Sequence, residues 1–199
     1  LAAKTPRKGK KKCPMFSTYT HEQVAQYICD AVIESTAGFA HAVTLTVLEE
    51  DRLQASACAE RHEYNNRKFA HQPKFFRGKS HFATIIRGYL GEIVIRRALG
   101  LPYGIDDLVF DKPQKRPDLM ELYGYRLCLD MKTTEDGTAR INKESHFNVA
   151  KRPFAYLIAD VRQDACHLWL VDADAVDKWD DKDYPSPHFL RALPQPPAP

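Results

Sequence analysis

The sequence has no run of about 18 apolar residues, the length a membrane-crossing helix needs, so no transmembrane segment is expected. It also lacks a charged-then-apolar opening of the secretory kind. The chain opens on Leu1 rather than methionine, which reads as a fragment or a processed form. No Cys-x-x-Cys pair is present. The five cysteines (Cys13, Cys29, Cys58, Cys128 and Cys166) are scattered and odd in number. This pattern argues against a zinc ribbon, an iron–sulfur cluster or a disulfide framework, and for a reducing, cytoplasmic setting. The eight histidines show no His-x-x-x-His or His-Glu-x-x-His spacing, so soft-metal chemistry is not expected. No stretch of the chain repeats another.

Acids are missing from the first twelve residues, where Lys4, Arg7, Lys8, Lys10, Lys11 and Lys12 stand. The formal net charge of +3, less these six, leaves −3 for residues 13–199. The basic character therefore sits in a leader ahead of a slightly acidic body. Such a leader suits a polyanion such as nucleic acid, and equally suits a solvated extension with no partner.

At 199 residues the chain is long enough for one well-buried domain. Thr20 and Gln23 read as a capping box, opening a helix with Val24, Tyr27, Ile28, Ala31, Val32 and Ser35 on one face before Gly38 stops it. Residues 43–66 read in two ways: a short strand at Val43–Val47, or a helix capped at Thr46 and running through Ala55, Cys58, Ala59 and His62. The helix is favoured. Residues 65–79 mix Arg67, Lys68, Lys74, Arg77 and Lys79 with Phe69, Phe75 and Phe76. That composition can line a nucleic-acid groove, or can simply pack its rings and solvate its charges.

The most helical stretch follows, with Ile85, Ile86, Tyr89, Leu90, Ile93, Val94 and Leu99 on one face and Gly100 and Pro102 at its end. Glu92 falls at the border of this stripe, beside the thin spots left by Gly88 and Gly91. Its ordinary partner would be Arg96, one turn on, a pair stabilising by only a few tenths of a kcal/mol. Residues 107–111 read as a strand. Asn142 to Arg152 reads as a short helix, and His146 and His81 as helix-surface residues. Phe154–Val161 and Cys166–Val171 read as strands buried on both faces. Asp174–Trp179 reads as a helical turn. Six prolines from Pro185 onward suggest an extended, poorly packed tail.

The central stretch is Arg116 to Thr134, read as a hairpin reversing around Gly124. Its second arm alternates, with Leu127, Leu129 and Met131 on one face and Arg126, Cys128, Asp130 and Lys132 on the other. In that register Asp118 lies opposite Asp130, where cross-strand Cβ atoms are about 4.5–5.5 Å apart. Two carboxylates so close repel unless a cation or a proton intervenes. The bland reading of Lys132 is a surface salt bridge to Asp130, worth about 1 kcal/mol or less.

Pro117-Asp118, Asp130-Met131-Lys132 and the preceding helical Glu92 together resemble the PD-(D/E)XK nuclease superfamily over roughly residues 82–171. Asp130 departs mildly from it, being the shorter carboxylate. The resemblance implies an α/β fold: a mixed sheet with an αβββαβ core flanked by helices. Residues 1–19 would be a basic leader, 20–80 a helical region packed on the core, 81–184 the nuclease-like core and 185–199 the proline-rich tail. It further implies Mg²⁺, replaceable by Mn²⁺, held by Asp118, Asp130 and the Met131 carbonyl, with Glu92 on a second ion or a bound water. Hard oxygen donors that leave positions open for water and phosphate suit that ion. Lys132 would orient the water and offset phosphate charge. Lys74, Arg77, Lys79, Thr133, Thr134 and Lys143 are candidate contacts to the nucleic acid, DNA before RNA. A homodimer would suit cutting both strands. The rival readings are a nucleic-acid-binding protein that does not cut, and an assembly protein recruiting partners through its tails.

Overall fold

In a computed structural model, residues 19–69, 79–109, 119–122, 125–148, 152–179 and 187–196 are described. The fold is mixed α/β. The elements run α1 (His21–Glu34), β1 (Phe39–Thr46), α2 (Glu49–Phe69), α3 (Lys79–Ala98), α4 (Ile105–Leu108), β2 (Leu119–Leu122), β3 (Tyr125–Thr134), β4 (Thr138–Asn142), α5 (Lys143–Phe147), β5 (Ala155–Arg162), β6 (Ala165–Asp172), α6 (Ala173–Val176) and β7 (His188–Ala192). Five strands form the main sheet in the order β1-β6-β5-β3-β2, and β4 pairs with β7 in a separate ribbon. Within the main sheet only β3 and β5 run parallel. The connection between them carries β4 and α5, as a parallel pair demands a crossover. Among the described residues, no helix is long and apolar enough to cross a membrane.

Strand β5 shows how the layers are built. Leu157, Ala159 and Val161 enter one core with residues of α1, α2 and α3, and Tyr156 and Ile158 enter a second with β4, β7 and α6. Alternation along a strand buried on both faces requires two covering layers, and both are present. The expected capping box on α1 is formed: Gln23 N–H donates to Thr20 Oγ1 at 3.3 Å, and the Thr20 N–H donates to Gln23 Oε1 at 2.8 Å. Helix α3 ends where Gly100 and Pro102 predicted. Gly100 takes φ +67°, and the N–H groups of Gly100 and Leu101 close on the carbonyls of Arg97 and Arg96.

Four expectations need correction. Residues 39–46 are a strand, and the favoured helix begins only at Glu49. Val43 and Leu45 alternate into the helical core, while Asp51, fully buried, accepts from the Leu48 N–H at 2.8 Å and fixes the helix start. Arg97 clasps the same carboxylate at 2.8 and 2.9 Å and donates to the Thr46 carbonyl at 2.7 Å, tying α3 to that corner. The region before α3 is therefore not only helical: through β1 it supplies an edge strand of the main sheet. Residues 105–108 are a helical turn where a strand over 107–111 was expected, because Asp107 accepts the Gly104 N–H at 2.8 Å and Leu108 turns inward. The proline-rich end is not merely an extended tail. Its β7 pairs with β4, and Phe189 and Leu193 are buried in the second core.

Candidate active site on β3 and α3

The hairpin of β2 and β3 is formed. Leu122 pairs with Tyr125 and Glu121 with Arg126, then the register shifts so that Leu119 pairs with Leu129. Three residues of β3 thus span two of β2, a bulge, and Cys128 within it takes φ +44°. Leu119 opposite Leu129 is the register in which Asp118 was set against Asp130; Asp118 itself lies outside the described residues. The bulge interrupts the simple alternation expected from Arg126 to Lys132. From Leu129 the strand is regular, in parallel register with β5, so that Asp130 pairs with Tyr156 and Lys132 with Ile158.

Lys132 Nζ lies against Asp130 Oδ2 and also donates to the Met131 carbonyl at 3.3 Å. An ammonium is thus held by the two oxygen donors assigned to a divalent cation. They converge on one point, and a hard cation could share or take the position the amine marks. The fit is partial. Among the described residues no group of three or more His, Cys, Asp or Glu side chains could hold a metal.

Glu92 is on the helical side. Arg96 Nε donates to Glu92 Oε1 at 2.9 Å, so the ordinary partner one turn on is engaged. Burial pushes the Glu92 carboxyl above its usual range, and the Arg96 guanidinium only partly offsets this. Glu92 stands in the wall of a cleft of about 410 Å³, with His62 from α2, Tyr89 from α3 and Met131, Lys132 and Thr133 from β3. The two glycines of α3 have different jobs there. A Cβ at Gly91 would overlap Thr133 Oγ1 and lie 3.0 Å from Thr133 Cβ, so the absence of a side chain lets β3 approach the helix. A Cβ at Gly88 would meet nothing within 4 Å, because it faces the cleft.

The structure therefore gathers Glu92, Met131, Lys132 and Thr133 around one cleft and joins Asp130 to them through Lys132. Of the other candidates, Thr134 and Lys143 lie elsewhere. Thr134 is buried and donates to Asp136 Oδ1 at 2.7 Å, bracing the turn after β3. Lys143 is on α5, its ammonium 4.9 Å from the Phe189 ring centroid. Lys79 opens α3. Lys74 and Arg77 lie outside the described residues.

Two features carry no sequence signal. In the cleft, His62 Nδ1 and Tyr89 Oη are 2.9 Å apart, and burial raises the Tyr89 hydroxyl to about 12. The two residues are 27 positions apart, on different helices. On the opposite face His146 is not a helix-surface residue but fully buried. Its Nδ1 meets Tyr156 Oη at 2.8 Å and its Nε2 meets Asp177 Oδ1 at 2.7 Å, while Arg152 holds Asp177 Oδ2 at 2.6 Å. The Arg152 hydrogen bond keeps the Asp177 carboxyl below its usual range. A short amphipathic helix under the β4–β7 ribbon turns this residue inward, which periodicity over five residues cannot reveal.

Compared with known proteins, the chain matches no family model, and no curated protein or solved structure matches it either.

Proposed function

We propose that this protein is a divalent-metal-dependent nuclease that hydrolyses phosphodiester bonds in DNA. The observation carrying this reading is the convergence of Asp130 Oδ2 and the Met131 carbonyl on the Lys132 ammonium, at the rim of a cleft containing Glu92. Acyl or sugar chemistry would call for a nucleophile–base pair or two acids across a cleft. A carboxylate, a carbonyl oxygen and an amine side by side suit a hydrated Mg²⁺ and a phosphate instead. In this reading Asp130 and the Met131 carbonyl hold the cation together with Asp118. Lys132, displaced from its resting contact, offsets charge on the phosphate. Bound there, the ion would acidify a water and stabilise negative charge developing on the phosphate oxygens.

The test is nicking of supercoiled plasmid by the full chain in Mg²⁺ or Mn²⁺, stopped by EDTA. Asp130→Asn and Lys132→Ala are each expected to lower the rate by about a hundred-fold or more. Undiminished nicking by Asp130→Asn would sink the assignment.

A second reading is a nucleic-acid-binding protein that does not cut. What favours it is that both described acids already hold a cation of the chain itself, Glu92 with Arg96 and Asp130 with Lys132. It predicts salt-sensitive DNA binding that survives Asp130→Asn, and no nicking in any metal.

A further inference from the structure

The cleft between α2, α3 and β3 does not suit a phosphate. Its inner wall carries the carboxylate of Glu92, and Lys132, the cationic side chain that lines it, is tied to Asp130. The rest of the lining includes Ile85, Met131, the bare backbone of Gly88, and the paired rings of His62 and Tyr89. At about 410 Å³ it falls in the range of small-ligand pockets, about 300–1,000 Å³, and it opens beside the amine that would meet a phosphate. With Oε1 held by Arg96, Glu92 keeps its second oxygen as an acceptor for an N–H donor, and Tyr89, whose hydroxyl stays protonated, offers a polar edge.

We propose that this cleft receives one unpaired nucleobase of a DNA strand whose neighbouring phosphate lies at Asp130 and Lys132. The placement rests on the nuclease reading of that pair. It gives Glu92 a role on the substrate in place of one on the metal. A base enters flat against apolar and aromatic walls and directs an N–H at the carboxylate, whereas a phosphate there would be repelled. Because a base within a duplex cannot reach such a pocket without leaving its stack, the preferred substrate is single-stranded DNA or DNA with an unpaired base.

Gly88 provides the means to block the cleft alone. Leucine is a good helix former, and nothing lies within 4 Å of the added Cβ, so Gly88→Leu fills the cleft while α3 keeps its shape. Gly88→Ala is the control. Binding of a short fluorescein-labelled single strand, and of its fully paired duplex, is measured by anisotropy on the full chain in EDTA. The native protein is expected to bind the single strand about ten-fold more tightly than the duplex. Gly88→Leu should lose that margin and Gly88→Ala keep it. Should Gly88→Leu fail to fold by circular dichroism, Ile85→Trp fills the same space from the neighbouring turn. The pocket is overturned if a folded Gly88→Leu or Ile85→Trp protein retains the native single-strand affinity, or if the native protein shows no single-strand preference. Nicking reports separately. A protein that never nicks but loses single-strand binding on Gly88→Leu keeps the pocket and loses the nuclease reading. One that nicks but binds identically with the cleft filled keeps the nuclease and loses the pocket.

Discussion

The two faces of the main sheet are covered in opposite ways. On the helical face, α2 and α3 close over apolar side chains yet leave an open cleft, and one glycine there has no neighbour at all where its side chain would be. On the other face, the β4–β7 ribbon, α5 and α6 cover a chain of polar contacts that runs from the buried Tyr156 and His146 out to Asp177 and Arg152, which are partly exposed. The first face carries a partly buried acid paired only at one oxygen; in the second, both ring nitrogens of a buried histidine are satisfied. Polar groups buried with all partners present fix a structure, whereas a polar group at a cleft wall with capacity to spare is available to a ligand. On the nuclease reading proposed above, the closed face serves stability and the open one chemistry, with Asp130 and Lys132 on the strand between them.

The largest effect that would break this contrast is on the closed face. His146→Ala leaves a cavity and strands the buried Tyr156 hydroxyl, so a loss on the order of 3–5 kcal/mol in urea unfolding is expected. A loss below about 1 kcal/mol would show that the network does not hold the ribbon on the sheet.

Next come the paired glycines of α3. Gly91→Ala forces Thr133 away from the helix and should destabilise by about 1–3 kcal/mol. Gly88→Ala, three residues earlier in the same helix, should stabilise by about 0.5–1 kcal/mol, since alanine is the better helix residue and nothing obstructs it. Thermal melts of the two variants side by side check the opposite signs.

The smallest effect concerns Glu92 and sharpens the distinction. Its carboxyl is raised in the folded protein above the ordinary 4.5, so the unfolded chain ionises first as pH rises. The stability linked to its protonated form is full below about pH 4.5 and is lost as pH climbs through the raised value. Glu92→Gln has no such group. The stability difference between native protein and variant should therefore shift against the native protein across that window, measured by unfolding at stepped pH. A difference that stays flat would mean the acid is as well hydrated as a surface one.

Much of this arrangement was legible in local chemistry. The capping box at Thr20, the glycine stop at Gly100, the doubly buried strands and the Asp130–Lys132 contact each depend on residues within a few positions of one another, where spacing dictates geometry. The pairing of Glu92 with Arg96 and the thin spot at Gly91 follow from the helical repeat alone. Elsewhere local patterns competed. Thr46 looked like a cap, but Val43 and Leu45 gain more from the sheet, and Asp51, by accepting from the Leu48 N–H, starts the helix at Glu49, two residues later than a Thr46 cap would place it.

What the sequence determined by itself was the set of amphipathic elements and the strand that carries an acid and an amine on one side. Only the tertiary structure decided which helix faces that strand, that His62 and Tyr89 meet across two helices, that His146 turns inward, and that a proline-rich end folds back as β7. The physical reason is reach. Hydrogen-bond periodicity and capping act over one or two turns, while burial is settled between segments far apart in the chain, and a single sequence contains no term for that distance.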